Sequence, residues 1–318
     1  MGSETKTKQV VKRCLGFVTL GLAVLLILLP VGGEIAYQAG LLPESPSQAL
    51  LRAFGADASD DDSEFVEFLS VGQGDTTIIK SRDMAAVIDF GPPDETDRLY
   101  HRLIELGIDR LDLAVVTHHQ QDHMGGLADL YEQFEIDRLL MNSTTAKDGD
   151  NAFYQQILKH ANAAGTVIYT PVVGGKYQIG NALLEVLFAD QTAKTENNRS
   201  LVLRLTIGGK RMIFTGDLER QGEQKLLQSS VDLTADVLHL GHHGSNTSNH
   251  EAFLKAVQPK LAIASSGYDH VYGHPSDAVV KRLEQLDIAL YRTDLDGDIR
   301  LMPTASGITV QTGWEGLP

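Results

Sequence analysis

Ten consecutive residues hold the densest chemistry in the chain: T-H-H-Q-Q-D-H-M-G-G, from Thr117 to Gly126. Two adjacent histidines, an aspartate and a third histidine crowd the end of an apolar run, LDLAVV, and a glycine pair follows at once. Imidazole nitrogen beside carboxylate oxygen suits a divalent transition metal such as Zn or Mn. An incidental polar loop does not account for three histidines in six residues with Asp and Gly-Gly at these offsets. Two later clusters carry the same donor types. R-M-I-F-T-G-D closes a predicted strand on Asp217, although a Gly-Asp turn alone is commonplace there. D-V-L-H-L-G-H-H-G-S sets His242 and His243 before Gly-Ser at another strand end, where a metal-ligand or proton-donor role is favoured over a buried structural pair.

Side chains that meet around an ion need rigid elements behind them. From Glu64 onward, β-rich runs end at glycines or polar clusters: EFVEFLSVGQGD, TTIIK and AAVIDFG. A helix is predicted over DETDRLYHRLIELG, then the strand LDLAVV, a helix near GLADLYEQF, the strand RLLMN and a helix at FYQQILKHANAAG. Strands at ALLEVLFA, SLVLRLTIG, KRMIFTGD and DVLHL follow, with helices at EAFLKAVQ and SDAVVKRLEQL flanking the strand LAIASSG. Strands mixed with amphipathic helices in both halves predict an α/β protein of layered sheets. Its chemistry falls where strands end and loops begin.

The 318 residues suffice for a sizeable core, and 42% hydrophobic with 22% charged residues is ordinary for a globular protein. The net charge of −15 argues against coating nucleic acid through long Lys and Arg stripes, so a polyanion has to be captured locally. The single cysteine, Cys14, leaves no part for disulfides. Residues 1–14 are basic, with Lys6, Lys8, Lys12 and Arg13, and the 17 residues from Leu15 to Val31 carry no charge. A transmembrane anchor over 15–31, basic side in the cytoplasm, is expected; a cleaved signal peptide is the alternative, but no A-x-A site follows. Residues 32–63, with Pro43, Pro46 and an acidic run, read as a linker, and 64–318 as the functional domain. The domain is thereby expected outside the cytoplasm, anchored or released.

The H-x-x-x-D-H-x-G-G loop, then T-G-D, then H-H-G-S, resembles the metallo-β-lactamase superfamily. More narrowly the chain is similar to the hydrolase domain of ComEC-type competence proteins, which are DNA-uptake channels. F-L-S-V-G-Q-G-D (Phe68 to Asp75), V-I-D-F-G (Val87 to Gly91), N-x-S-L-V-L (Asn198 to Leu203), Y-G-H-P (Tyr272 to Pro275) and Y-R-T-D-x-x-G (Tyr291 to Gly297) fit that match in order. The resemblance implies an αββα sandwich and metal-assisted hydrolysis. It implies His118, Asp122, His123, Asp217 and His243 as metal ligands, with Asp217 bridging two ions. Asp122 is expected to orient the nucleophile and His242 to touch the phosphate or protonate the leaving group. Asn198, Ser200, Ser245 and His274 are expected to line the pocket, and Asp75 and Asp89 to support the ligands from behind.

Two departures qualify these expectations. The family's first loop usually reads H-x-[HD]-x-D-H, and Gln120 stands at the third position with a weakly donating neutral carbonyl. One or two ions, Zn or Mn, are therefore expected, the position beside His118 being the weaker. ComEC proteins also carry many membrane spans, against at most one here. The implied activity is that of a phosphodiesterase or nuclease-like enzyme on DNA or a related phosphodiester. A phosphorylcholine-type esterase, another ester or lactone hydrolase, and a metal-poor binding module are the alternatives, because fold does not decide substrate.

Overall fold

The computed structural model describes residues 64–143, 151–268 and 270–313. The basic N-terminus, apolar segment and linker expected over 1–14, 15–31 and 32–63 lie outside them. Among the described residues no helix is long and apolar enough to cross a membrane.

The first half opens as an antiparallel meander of β1 (Phe65–Phe68), β2 (Thr76–Ser81) and β3 (Met84–Phe90). Helix α1 (Thr96–Glu105) buries Leu99 and Leu103, one turn apart, and carries the chain past the short β4 (Arg110–Leu111) to β5 (Leu113–Val116). Here β5 lies parallel to β3, and its fully buried LAVV is the continuous apolar run expected of a strand covered on both faces. The short helices α2 (Gln121–Met124) and α3 (Leu127–Leu130) follow, then β6 (Glu135–Ile136), β7 (Arg138–Met141), α4 (Asn151–Ala164) and β8 (Val167–Tyr169). β7 and β8 extend the parallel part, while β4 and β6 form a separate two-stranded pair.

The second half repeats this plan. β9 (Lys176–Ile179), β10 (Ala182–Phe188), β11 (Val202–Ile207) and β12 (Lys210–Phe214) are antiparallel neighbours. Helix α5 (Arg220–Gln228), β13 (Val237–His239), α6 (Glu251–Val257), β14 (Leu261–Ala264), α7 (Asp277–Gln285) and β15 (Ala289–Arg292) then add three parallel strands. After α8 (Thr293–Asp296), the hairpin of β16 (Asp298–Thr304) and β17 (Gly307–Gly313) returns to the first sheet beside β1. The two large sheets thus hold eight strands, β17-β16-β1-β2-β3-β5-β7-β8, and seven, β15-β14-β13-β12-β11-β10-β9.

Three apolar clusters define four layers. One lies between the sheets and joins Phe68, Ile88 and Val115 to Leu184, Leu203 and Phe214. A second packs α1, α3 and α4 on the outer face of the first sheet; a third packs α5, α6 and α7 on the second. This is the expected αββα sandwich. The sequence reading missed α5, whose buried face is Gly222, Glu223 and Leu226 and so shows almost no apolar stripe.

Such a sandwich places the carboxyl ends of β3, β5, β12, β13 and β14 on one rim, where open α/β sheets bind their ligands. Gly216 makes the turn after β12 with φ +49, and a Cβ there would come within 2.7 Å of the Thr117 hydroxyl oxygen. Gly216→Ala should lower the unfolding free energy by about 2 kcal/mol or more, since it adds a left-handed penalty to a steric clash. Urea denaturation with a wild-type midpoint would show that this turn tolerates a side chain.

Candidate metal centre

Asp217 emerges from that turn, its backbone N–H donating to Ser200 Oγ at 3.0 Å. Both carboxylate oxygens are buried, and among the described residues neither has a hydrogen-bond partner. Four imidazoles surround them through Nε2. His123 and His243 lie 3.2 and 3.8 Å from Oδ1, while His242 and His118 lie 3.5 and 3.7 Å from Oδ2. The Nε2 of His123 also lacks a hydrogen-bond partner, so it and the Asp217 oxygens face a common space without pairing.

Each ring is held from behind through Nδ1. His123 Nδ1 meets Asp89 Oδ2 at 2.9 Å, and His243 Nδ1 lies 3.1 Å from both Asp75 Oδ1 and the Ser265 carbonyl. His118 Nδ1 meets the Thr117 hydroxyl and His242 Nδ1 the Thr247 hydroxyl, each at 3.2 Å. Asp89 also accepts the backbone N–H and the hydroxyl of Thr117, which ties β3 to the end of β5. Such contacts fix tautomer and ring orientation. Two groups of three potential ligand atoms lie within 4.8 Å: His118, His123 and Asp217, and Asp75, His123 and His243. In the second, Asp75 faces the Nδ1 sides of the rings, 3.9 Å from His123, which makes it a brace behind them.

His242 and His243 both adopt left-handed φ, +53 and +55, a costly pair for non-glycine residues. Asn249 fixes this turn, its amide accepting from the N–H of Gly241 and donating to the Gly241 carbonyl. Asp122, on α2, places Oδ2 3.2 Å from His243 Nε2 and leaves its side chain 32% exposed. The electrostatics are those of a buried anion seeking a cation. Burial opposes the Asp217 charge, but His123, His243 and His118 overcome it and hold its pKa well below the carboxylate range. Burial likewise disfavours charge on His123 and His243. Their neighbouring carboxylates, led by Asp217, nonetheless raise both pKa values well above the usual imidazole value.

The other expected residues divide. His274 stacks over His243 with centroids 6.4 Å apart and planes 25° apart, and burial beside His243 and His242 pushes its pKa down to about 4. Ser245 sits in the same turn, its hydroxyl 3.1 Å from that of Thr247. Asn198 and Ser200 are buried and committed to the scaffold. The Asn198 amide donates to Thr195 and Glu219 and accepts from the N–H of Gly222, while Ser200 supports Asp217. His119 turns the other way, onto Tyr154. Gln120 places Oε1 2.9 Å from His118 Nε2, and its amide nitrogen donates to Asn197 Oδ1 at 2.9 Å. Sequence reasoning missed Thr117, Asn197, Thr247 and Asn249. Thr117 opens the first motif, Asn197 adjoins Asn198, and Thr247 and Asn249 lie two and four residues past Ser245, but their residue types alone did not assign them these contacts.

The donor chemistry fits a divalent transition metal: buried, unpaired imidazole nitrogen and carboxylate oxygen converge with their outer contacts already made. The model of the metallo-beta-lactamase superfamily matches residues 69–268. The chain belongs to that superfamily. Among curated proteins the chain is similar to ComE operon protein 3 of Bacillus subtilis, 35% identical over 195 residues, 61% of this chain and 25% of that protein. Competence protein ComA of Neisseria gonorrhoeae is 31% identical over 292 residues, 91% of this chain and 39% of that one. The chain therefore spans well under half the length of these curated relatives. Among solved structures, the diiron β-hydroxylase CmlA from Streptomyces venezuelae aligns with TM-score 0.52 at 13% identity, over 83% of this chain and 59% of that one, a likeness of fold alone.

Asp89 tests the brace, because its left-handed backbone (φ +59) also suits asparagine. Asp89→Asn should leave the fold intact and weaken cation binding about 10- to 100-fold, read by competition with a chelating dye. An unchanged affinity would remove Asp89 from any part in holding His123.

Proposed function

We propose that this chain is a metal-dependent phosphodiesterase acting on DNA or a related phosphodiester. The convergence of four imidazole Nε2 atoms on the unpaired, buried carboxylate of Asp217 carries the proposal. Asp122, His123, His243 and Asp217 Oδ1 would hold one cation. His118 and Asp217 Oδ2 would hold a second more weakly, since Gln120 sets a neutral amide against His118 Nε2. The bound cations supply Lewis acidity toward a water and a phosphoryl oxygen. Asp122, exposed at the rim, orients the water. His242 is 24% exposed, unlike the buried rings of His118, His123 and His243, and meets the leaving oxygen with a proton. The competence relatives support a DNA-related substrate. The basic flank and apolar run at 1–31 support a membrane tether with the domain outside the cytoplasm.

Metal titration should resolve one tight and one weak equivalent of Mn or Zn, and Gln120→Asp should tighten the weak one. Two equal sites in the wild type would refute the inequality.

Hydrolysis of bis(p-nitrophenyl) phosphate by the loaded protein tests the activity. Asp217→Ala should lose bound metal and turnover together, and His242→Ala should lower kcat about 10²- to 10⁴-fold. If the wild type takes up neither Mn nor Zn and turns over nothing, the chain is a binding module.

A further inference from the structure

The rim of the metal centre continues outward as a series of rings. His274 lies over His243, and Tyr272 lies over His274 with centroids 5.9 Å apart and planes 25° apart. His270 adjoins Tyr272 at 4.9 Å. The series starts at a ring 2% exposed, His243, and ends in solvent, with Tyr272 67% exposed and Val271 89%. A turn from the His270 carbonyl to the Gly273 N–H shapes this segment. Its far end is pinned where Pro275 packs on Gly244 and the Ser276 N–H donates to the Gly244 carbonyl. The Nδ1 atoms of His270 and His274 are buried without a hydrogen-bond partner among the described residues. The Tyr272 ring is thus held in the open beside a centre built for anion chemistry, backed by the part-buried rings of His274 and His270. No Lys or Arg occurs from Leu261 to Val280, so this segment brings no positive charge to a phosphate backbone.

We propose that His274, Tyr272 and His270 form a stacking platform for the bases of a single-stranded polynucleotide whose phosphodiester lies at the metal centre. This rests on the phosphodiesterase reading and adds how the substrate is gripped. Every base has a π-face, and stacking on an aromatic side chain is sequence-tolerant. In a duplex those faces are covered by neighbouring pairs, so the platform selects unpaired strands. Stacking also needs no cationic groove, which reconciles a polyanionic substrate with a chain of net charge −15. Binding should accordingly depend little on salt, whereas each phosphate gripped by a cation on a single strand adds about −0.7 to the slope of log affinity against log salt.

The test uses the full-length protein loaded with Mn, a single-stranded oligothymidylate of twelve nucleotides as probe, and an abasic oligomer with the same number of phosphates. Fluorescence anisotropy, repeated after removal of Mn by chelation, reads binding independently of cleavage. The wild type should bind oligothymidylate about tenfold or more tightly than the abasic oligomer, with a salt slope shallower than about −1. Tyr272→Ala should bring that ratio close to one, and Tyr272→Phe should restore it. A ratio near one in the wild type, or unchanged in Tyr272→Ala, overturns the platform even if both oligomers are cleaved, and leaves the phosphodiesterase standing. Base-dependent binding without cleavage of either oligomer or of bis(p-nitrophenyl) phosphate sustains the platform and removes the phosphodiesterase.

Discussion

The constraint on which this fold depends is the burial of the Asp217 carboxylate at the seam between two sheets. A carboxylate shut away from water without partners costs several kcal/mol or more, and it persists only if positive charge is supplied at close range. Here four imidazoles are turned so that Nε2 faces the carboxylate, and His123 and His243, whose pKa values their carboxylate neighbours raise, stand on its Oδ1 side. An imidazole turns freely unless its other nitrogen is held. Asp89, Asp75, Thr117 and Thr247 do this holding, and they come from β3, the loop before β2, the end of β5 and the loop after β13. The antiparallel-then-parallel plan of each half delivers all of these to one rim.

Strain accumulates where the demand is greatest. Asp89, His242, His243 and Asn249 all take left-handed backbone within the same small volume. His242 and His243 would each be costly alone, by about 1–2 kcal/mol, whereas Asp and Asn enter this region more readily. The side-chain bonds of Asp89 to Thr117 and of Asn249 to Gly241 over-determine these conformations. These bonds brace the ligand-bearing turns from within the protein, which is what metal binding and positioning of a reacting group both require.

Much of this was legible in the sequence because the chemistry is written locally. T-H-H-Q-Q-D-H, T-G-D and H-H-G-S each sit at a strand end, and short apolar runs such as LAVV and LAIA mark the buried parallel strands. Elements whose burial does not depend on an apolar stripe stayed hidden. Helix α5 rests on Gly222 and Leu226 and is capped through Asn198, so its residues read as polar loop. Strand β8 is exposed throughout and gives no alternation to detect. Within the site, the H-x-x-x-D-H spacing set His118 apart from His119, and the fold turns His119 onto Tyr154 while His118 faces Asp217. Asn198 and Ser200 share the N-x-S motif, yet only the fold shows their polar atoms spent on α5 and on Asp217.

The two sides of Asp217 are not equivalent, and the difference orders the chemistry. Around Oδ1 stand three further carboxylates, Asp122, Asp75 and Asp89, each touching His123 or His243. Around Oδ2 the hydrogen-bond contacts of His118 and His242 are neutral, Gln120, Thr117 and Thr247, and one carboxylate, Glu219, stands 4.0 Å from His242 Nδ1. A cation is drawn first to the side with more negative charge. An anionic substrate of the proposed kind would be repelled less on the other, where His242, the most exposed of the four rings, stands. Gln120 accordingly does more than weaken a ligand position. A carboxylate in its place would add negative charge on the Oδ2 side, so on the proposed function the neutral amide would keep that side open to an anionic substrate.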